Sequence, residues 1–392
     1  MLIRNSLSLL ALLPVLQVAH AAVTVGSCQS HPYTKSYATI SQAITAARAG
    51  ETIDVCPGTY PEQLTITKPL TIEGITIAGQ AGATITAPAS GLQEMPAGSG
   101  FYPQVYANRA GAVVIRNIAV DGTGANILFS QILFDTTTAC QVGFIKDFSG
   151  IYFSNTTGEV RNASVKGHFA NSDTPDGPQL YPNCGSGIEF ANRSEAGLVS
   201  DSVINGYGYT GISSTGPVRV RRNVLTSDSG PYQVGISVPK KESVVEENTV
   251  SGLQFNQSTG IQGGEFVTDN VVQGWLLGIV NARQVKHNTL LNNAIGISDP
   301  DEATTNLITA PALYTDPACT TGACRPGQTT KASVGIDVEC EDSSLVRGNE
   351  MVGVGVGIAD VKKSQMASAS NLYAGVGTTM TSCAASTNGS RK

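Results

Sequence analysis

The chain has few charged side chains and few histidines. Charged residues make up 14% of the 392, and 24 Lys and Arg against 30 Asp and Glu leave a net charge of −6. Without a basic excess to hold a phosphate backbone, we expect no nucleic-acid partner. Beyond residue 22 the histidines are His31, His168 and His287, far apart in sequence, so copper carriage is not indicated. Beyond that residue no segment is long and apolar enough to cross a bilayer.

Residues 1–22 have the features of a secretory signal peptide. Arg4 precedes an apolar run from Leu7 to Val18, and Ala19-His20-Ala21 forms a site with small residues at both ends. The apolar run is short for a membrane span, although a retained anchor is the alternative. The sequence therefore predicts a secreted or periplasmic protein without an integral membrane segment after cleavage.

An even number of cysteines, eight, predicts disulfides in such an exported chain. A zinc site is the alternative use, but no Cys and His stand at ligand spacing. About 105 pairings of eight cysteines are possible. Sequence spacing favours Cys28 with Cys56, Cys140 with Cys184, Cys319 with Cys324, and Cys340 with Cys383.

Two short phrases recur along most of the chain, and the first three copies of the first phrase are 24 residues apart. The first phrase is Gly-Ile, at Gly187, Gly211, Gly235, Gly260, Gly278, Gly296, Gly335 and Gly357. The second is Val-x-x-Asn, ending at Asn117, Asn223, Asn248, Asn270, Asn288 and Asn349, with Ser202 in the Asn position after Val199. Such a period indicates a solenoid.

Each repeat combines short β-branched strands with a Gly and a turn Asn, which favours stacked β-coils over helical repeats. Isoleucines would point into the tube, and stacked Asn side chains would bond along its axis while accepting left-handed backbone. We therefore predict an all-β, single-stranded, right-handed parallel β-helix of roughly ten coils. It would span residues 23–385, followed by a flexible tail at 386–392.

A short helix is predicted before the first coils. Thr39 and Gln42 form a capping box, Gly50 ends the segment, and one face is apolar. That face consists of Ile40, Ala43, Ile44 and Ala47. An amphipathic helix there would cover the open end of the tube and its unpaired strand edges.

The segment from the helix into the first coils resembles the start of pectate-lyase-like parallel β-helix proteins. The matching residues are Ile40-Ser-Gln-Ala-Ile44, Ala49-Gly50, Thr52-Ile53, Val55, Pro57-Gly58-Thr59-Tyr60, Glu62, Ile66 and Lys68-Pro69-Leu70-Thr71-Ile72. The first half is also similar to pectin methylesterases. The resemblance implies the right-handed β-helix, and it leaves the activity open because this fold hosts lyases, hydrolases, epimerases, esterases, adhesins and accessory proteins. Tyr60 and Glu62 belong to this shared opening, and we expect them to be structural.

Three stretches interrupt the repeat: residues 86–108, 171–184 and 299–331. Long loops on a rigid scaffold are common binding elements.

A polar, mostly uncharged stripe should face solvent beside the inward isoleucines, because side chains alternate along a strand. The predicted column is Glu189, Ser213, Ser237, Gln262, Val280, Ser298, Asp337 and Ala359, with Tyr209, Gln233 and Ser258 on the same face. Paired donors and acceptors beside Tyr rings suit a neutral or weakly charged glycan. A plain solvated sheet face is the alternative.

Charged residues near the stripe are candidates for catalysis or for binding an anionic sugar. Asp337 and Glu339 are expected to share the outward face of one strand and, with Glu341 and Asp342, could hold Ca²⁺ or act as acid and base. A hydrated acidic turn is the simpler interpretation. Arg193, Lys240 and Lys241 follow two outward strands and could contact a uronate.

Motifs of the known enzymes on this fold are missing. The chain lacks the Asn-Thr-Asp, Asp-Asp, Gly-His-Gly and Arg-Ile-Lys motifs of polygalacturonase-type hydrolases, and the two Asp and one Arg expected of pectin methylesterases are not found. We therefore predict an exported protein that binds a polysaccharide or surface glycan, with lyase or glycoside hydrolase activity left open. The alternative is a non-catalytic surface, adhesion or structural solenoid. Oligomeric state is not predicted.

Overall fold

The fold was analysed in a computed structural model of the chain. The structure describes residues 23–28, 35–125, 148–169, 185–191, 196–227, 232–253, 258–315, 330–340, 344–361 and 370–383. The predicted signal peptide and tail lie outside these residues. In the described part, no helix has the length and apolarity that a membrane span requires.

Three long parallel sheets form the body of the molecule, and the chain visits them in turn. Sheet 1 contains Lys35–Tyr37, Val23–Val25, Thr52–Val55, Leu70–Gly74, Ala112–Arg116, Thr157–Arg161, Gly197–Ser200, Val218–Arg221, Val244–Glu246, Phe266–Thr268, Gln284–Lys286, Glu302–Thr304 and Leu345–Arg347. Sheet 2 contains Gly58–Pro61, Ala83–Thr86, Ala119–Asp121, Ser164–His168, Val203–Tyr207, Val224–Thr226, Thr249–Ser251, Val271–Gln273, Thr289–Leu291, Leu307–Thr309, Glu350–Val352 and Leu372–Ala374. Sheet 3 contains Leu64–Ile66, Val105–Asn108, Ser149–Ser154, Ser186–Ala191, Thr210–Ser214, Val234–Ser237, Thr259–Gln262, Leu277–Val280, Ile295–Ser298, Val334–Asp337, Val356–Val361 and Thr378–Ser382.

This arrangement confirms the predicted parallel β-helix. Sheets 2 and 3 each have 12 strands, so the described coils outnumber the roughly ten expected. The right-handed sense follows from the general preference of parallel crossovers and stays a prediction.

The isoleucines of the Gly-Ile phrases lie in one line inside the tube. Ile188 pairs with Ile212, and the register continues coil by coil to Ile358. All of them are at most 1% exposed. The glycines are needed because a side chain would collide with the neighbouring coil: a Cβ on Gly211 would lie 2.6 Å from the carbonyl oxygen of Gly235. Burial of this apolar line is the main stabilising term of the solenoid.

A second line, of asparagines, runs along the turn after sheet 1. Asn248 Nδ2 donates to Asn270 Oδ1 at 3.0 Å, and the same bond repeats along the axis. The line consists of Asn223, Asn248, Asn270, Asn288, Asn306, Asn349 and Asn371. Ser202 continues it, since its N–H donates to Asn223 Oδ1 at 3.0 Å. The predicted axial bonding of Asn is therefore confirmed.

The backbone reason given for these asparagines was wrong. The residue before each Asn takes the left-handed conformation, as at Arg222 (φ 53°) and Glu247 (φ 58°). Asn117 (φ 56°) occupies this earlier position, so the copy ending at Asn117 is one residue out of register with the ladder. The ladder Asn is selected because its amide can both donate and accept, not because of its backbone.

The N-terminal helix spans Ile40–Ala46, with Thr39 as its N-cap. Gln42 N donates to Thr39 Oγ1 at 3.2 Å, while Glu62 accepts from Ile40 N and Ser41 N at 2.8 and 2.9 Å. At the other end, Lys68 Nζ donates to the carbonyl oxygens of Thr45 and Ala47. The apolar face is buried, consisting of Ile40, Ala43, Ile44 and Ala47. Its role as a cover for the end of the tube stays a prediction.

Two disulfides tie the described ends of the solenoid. Cys28 is bonded to Cys56 across the first coil, and Cys340 to Cys383 across the last ones. These two pairs confirm the sequence prediction, whereas Cys140, Cys184, Cys319 and Cys324 lie outside the described residues.

Two described insertions leave the solenoid at the same corner, between a strand of sheet 2 and the next strand of sheet 3. Residues 87–104 follow Ala83–Thr86, so the loop predicted at 86–108 was too long, because Val105–Asn108 is a strand of sheet 3. An antiparallel pair of strands, Leu313–Thr315 and Thr330–Ala332, follows Leu307–Thr309. The predicted loop at 299–331 was too long, because Glu302–Thr304 and Leu307–Thr309 belong to a regular coil. The predicted loop at 171–184 lies outside the described residues.

Candidate functional site

The predicted outward column exists, and its members lie in register on sheet 3. Glu189 pairs with Ser213, then Ser237, Gln262, Val280, Ser298, Asp337 and Ala359. Glu189, Ser213, Ser237 and Val280 are half-buried and Gln262 is exposed, whereas Ser298 and Ala359 are 4% and 8% exposed. The accessible part of the column therefore runs from Glu189 to Val280, about 19 Å at one strand spacing per coil.

The middle of the column presents unused hydrogen-bonding groups. Within the described part of the chain, the side chains of Ser213, Ser237 and Gln262 have no hydrogen-bond partner. Polar groups at an accessible surface cost nothing when water satisfies them, and they can exchange water for a ligand. These three coils supply two hydroxyls and one amide at regular spacing.

Two residues assigned to this face are buried instead. Gln233 is 0% exposed, and its Nε2 donates to the carbonyl oxygens of Tyr207 and Gly208 at 2.8 and 3.2 Å. Ser258 is 1% exposed, and its hydroxyl accepts from Leu276 N at 3.3 Å. Both residues lie in the turn that leads into sheet 3. They are buried because the Gly of each phrase interrupts the alternation of inward and outward side chains on which the prediction relied. Gln233 is therefore excluded as a substrate-binding residue, while Tyr209 is half-buried.

An aromatic cluster, which the sequence analysis did not predict, lies beyond the Glu189 end of the column. Counting back from Glu189, the register gives Tyr152 and then Tyr106. The two tyrosine rings stack at 5.7 Å, and Phe101 stacks on Tyr152 at 5.3 Å. Although both tyrosines point away from the core, they are only 9% and 6% exposed. No repeat phrase marks them, because long insertions separate these strands in sequence.

The insertion at 87–104 holds this cluster in place. Gln63 Nε2 donates to the carbonyl oxygens of Gln93 and Pro103, both at 2.8 Å, and Gln93 N donates back to Gln63 Oε1. Within the insertion, Glu94 accepts from Tyr102 Oη at 3.1 Å and from Gly98 N at 2.6 Å. The insertion is thus fixed to the sheet at one end and braced internally by a carboxylate.

Glu189 lies at the junction of the aromatic cluster and the open column. Its Oε2 accepts from Ser149 Oγ at 3.2 Å, which turns the carboxylate toward the previous coil. It is therefore placed beside Tyr152, at the rung where the column becomes accessible.

The other end of the column is acidic. Burial raises the pKa of Asp337, the Glu339 N–H that bonds to its carboxylate opposes the rise, and the charges of Asp360, Glu339 and Asp299 add to it. Glu339 N donates to Asp337 Oδ1 at 3.0 Å, and Ser298 Oγ donates to Glu339 Oε1 at 2.9 Å. The predicted pair is therefore brought together.

The backbone position of Glu339 differs from the prediction. The strand ends at Asp337, and Glu339 lies in a turn with φ 47°, not on the outward face of the strand. Its side chain folds back over Ser298 on the preceding coil. Among the described residues no group of three or more His, Cys, Asp or Glu side chains is arranged to hold a metal ion, and Glu341 and Asp342 lie outside them.

The predicted cationic contacts are only partly visible. Arg193 lies outside the described residues. Lys240 Nζ pairs with Asp301 Oδ1 at 2.8 Å, and Lys241 is exposed in the same turn. Neither lysine belongs to the column itself.

Sheet 1 carries the charges that the column lacks. Its outer face has ion pairs between neighbouring coils, including Glu73 with Arg116 and Lys286 with Glu302 at 3.1 Å. The open part of the sheet 3 column contains one carboxylate, Glu189, and no cation.

No known protein family and no curated protein matches the sequence. Among solved structures, the Dettilon tailspike protein is similar with a TM-score of 0.48 and 14% identity, covering 86% of this chain and 64% of that chain. Pectin methylesterase PemA from Erwinia chrysanthemi is similar with a TM-score of 0.40 and 16% identity, covering 70% and 81%. The A-module of mannuronan C-5 epimerase AlgE4 from Azotobacter vinelandii is similar with a TM-score of 0.33 and 14% identity, covering 87% and 91%. This chain thus spans about two thirds of the tailspike's length.

Proposed function

We propose that this protein is exported and binds a neutral or weakly charged polysaccharide along the open column of sheet 3. The observation that carries the proposal is the row of Ser213, Ser237 and Gln262, whose polar groups lack hydrogen-bond partners in the described structure. A sugar chain presents hydroxyls at regular intervals, and each can exchange bonds with such groups.

The charge distribution supports a neutral ligand over an anionic one. Glu189 stands at one end of the accessible column, and beyond its other end lies Asp337, with Glu339, Asp299 and Asp360 as acidic neighbours. Among the described residues of the column, a uronate chain would meet carboxylates at both ends without a cation in between, which costs binding energy.

The first experiment compares two polymers with one backbone: highly methyl-esterified pectin, which is nearly neutral, and fully de-esterified polygalacturonate. Alginate and a panel of host glycans complete the set, each with and without Ca²⁺. Calorimetry should show binding to the esterified pectin that is at least tenfold tighter than to polygalacturonate at low salt. Absence of binding across the whole set, by protein with an intact far-UV spectrum, contradicts the proposed function.

Substitutions locate the binding surface. Ser213→Ala with Ser237→Ala should weaken binding about 3- to 30-fold through the loss of two hydrogen bonds. The matched control is Thr226→Ala with Thr249→Ala, at outward positions of sheet 2 in the same two coils. Equal weakening by both double variants contradicts the assignment to sheet 3.

A second function, glycan cleavage, is favoured by the environment of Asp337. Burial and neighbouring carboxylates raise its pKa, which extends the pH range in which the group is a proton donor. Glu339, held close by, would then be the base or nucleophile that glycoside hydrolysis needs. A non-catalytic adhesion or spacer protein is the alternative.

Turnover decides between these alternatives. The same polymers are incubated with the protein while absorbance of unsaturated product reports a lyase and reducing ends report a hydrolase. If the acidic pair is catalytic, Asp337→Asn and Glu339→Gln each abolish product formation while leaving pectin binding unchanged. Binding without any turnover in the wild-type protein would support the adhesion alternative.

Export is part of the proposal. The bonded pairs Cys28–Cys56 and Cys340–Cys383 fit an oxidising compartment. Mass spectrometry of protein recovered outside the cytoplasm should show both disulfides and the loss of residues 1–22.

A further inference from the structure

The open column of sheet 3 is blocked at one end by the insertion at 87–104. Sheet 3 continues past Glu189 for three more coils, through the strands containing Tyr152, Tyr106 and Thr65. On a bare sheet their outward side chains would be accessible in the same way as Ser213. Tyr152 and Tyr106 are instead below 10% exposed, so the open column does not extend over these rungs.

The blocking group is an aromatic stack rather than a loosely lying loop. Phe101 of the insertion stacks on Tyr152 with 18° between the ring planes, and Tyr106 stacks on Tyr152 with 15°. Further along, Thr65 Oγ1 donates to Met95 Sδ at 3.3 Å, and Gln63 binds the insertion at Gln93 and at Pro103. Aromatic stacking and several hydrogen bonds together make a fixed wall.

A polymer that lies on a binding surface open at both ends is bound at internal positions, whereas a binding surface with a fixed wall at one end accepts a chain end. We propose that this protein recognises the terminal sugars of its polysaccharide, with the last ring against the Phe101–Tyr152 wall and beside Glu189. This inference rests on the proposed binding of a polysaccharide along the column, and it adds where on the polymer binding occurs.

The chemistry at the wall suits a terminal residue. Aromatic rings at the end of a polar column provide an apolar surface for a sugar face, and a carboxylate held by Ser149 accepts hydrogen bonds from hydroxyls. A terminal sugar has one more free hydroxyl than an internal sugar. Glu189 is the charged acceptor placed at that rung, where such a hydroxyl would lie.

The test uses highly methyl-esterified pectin, intact and after shearing to about one tenth of its mean length. At equal mass, shearing multiplies chain ends about tenfold, so end recognition predicts an apparent affinity per unit mass that rises by about the same factor. Internal binding predicts an unchanged or lower affinity per unit mass. An affinity that does not rise contradicts end recognition while leaving polysaccharide binding intact. No binding by either sample contradicts both end recognition and the expected binding of esterified pectin.

Removal of the wall provides the second arm. Phe101→Ala should reduce the tenfold preference for sheared pectin to less than threefold, because a chain can then pass over the wall. The control is Phe266→Ala, an exposed aromatic residue on sheet 1, which should keep the full preference. A preference unchanged by Phe101→Ala in folded protein contradicts the role of the wall.

Discussion

His168 is the most strongly perturbed titratable residue of the described structure. It is fully buried at the end of its sheet 2 strand, where Nε2 lies 3.0 Å from Gln104 Oε1 and the ring packs against Phe148 at 5.0 Å. Burial lowers its pKa from 6.5 to about 3, against an opposing influence of the Asp121 carboxylate. Within the described residues, Nδ1 has no hydrogen-bond partner, so a proton on it would be buried without compensation.

This burial predicts a pH-dependent stability. Above pH 6.5 the imidazole is neutral in both folded and unfolded chains, whereas between 6.5 and 3 only the unfolded chain takes up the proton. The free energy of unfolding should therefore fall as pH falls through this window, by up to about 1.4 kcal/mol per pH unit from this residue. Urea unfolding of wild type and His168→Gln at pH 7 and pH 4.5 measures it. The variant should lose less stability between the two pH values; an equal loss contradicts the prediction.

Asn270 shows what one ladder asparagine contributes. Its Oδ1 accepts from Asn248 N and Nδ2, and its own Nδ2 donates to Val245 O, Thr268 O and Asn288 Oδ1. Because the residue is 1% exposed, water cannot replace these bonds after truncation.

We expect Asn270→Ala to lower the free energy of unfolding by about 2–4 kcal/mol, measured by urea denaturation. Asn270→Ser should lose less, because Ser202 shows that a hydroxyl can accept and donate at this ladder position. The control is Thr268→Ala, two residues earlier on the half-buried outer face. A loss no larger than that of the control would show that the ladder bonds contribute little.

At the scale of elements, the N-terminal helix depends on residues far from it in sequence. Glu62 caps its first turn, and Lys68 binds the carbonyl oxygens of its last turn. Tyr60 donates its hydroxyl to Cys56 O at 2.8 Å inside the same coil. The two residues Tyr60 and Glu62, expected to be structural, therefore have structural contacts here.

Removing the cap should loosen this helix. Glu62→Ala leaves Ile40 N and Ser41 N without their charged acceptor, for an expected loss of about 1–2 kcal/mol. Hydrogen exchange at residues 40–46 measures the local effect and should speed up there first. Glu159→Ala, which removes an exposed partner of Arg161 on sheet 1, is the control and should leave exchange in the helix unchanged. Unchanged exchange in Glu62→Ala would contradict the capping role.

The three sheets give the whole molecule three chemically different faces. Sheet 1 carries ion pairs between coils, and sheet 2 exposes apolar side chains such as Val203, Val224 and Leu307. Sheet 3 carries the polar column, and both described insertions leave the solenoid at the corner between sheet 2 and sheet 3. Within the part of the chain that the structure describes, this face combines accessible polar side chains with a fixed aromatic wall, which is why we place binding there.

The two described disulfides act at the ends of a molecule whose coils contact mainly their neighbours. In such a solenoid, loss of an end restraint frays the terminal coils before the centre. Cys340→Ser with Cys383→Ser should therefore speed hydrogen exchange in residues 334–383 and leave residues 210–273 unchanged. The overall loss of stability should be about 2–4 kcal/mol. Uniformly faster exchange along the chain would contradict end-local fraying.

The reciprocal variant, Cys28→Ser with Cys56→Ser, serves as the matched control. Its effect should appear in residues 35–74 instead, because this bond closes the first coil. The same exchange pattern in both variants would show that the solenoid unfolds as one unit.

The repeating parts of this protein could be predicted from its residues alone. Ile188 and its counterparts, most of the ladder asparagines and the column from Glu189 to Ala359 follow from two recurring phrases, since stacked coils repeat the same environment. Local rules also placed Thr39 at the helix N-cap and two of the disulfide pairs.

The places where the repeat is interrupted depend on contacts between distant parts of the chain. Gln233 is buried because the Gly of its phrase interrupts the alternation of side chains along the strand. A left-handed turn brings Glu339 over Ser298, and the insertion at 87–104 covers Tyr106 and Tyr152. Each depends on contacts between residues that no fixed sequence spacing relates, such as Phe101 with Tyr152. The recurring phrases therefore specify the scaffold, whereas the ends of the open column arise from side chains that fold back from turns and insertions.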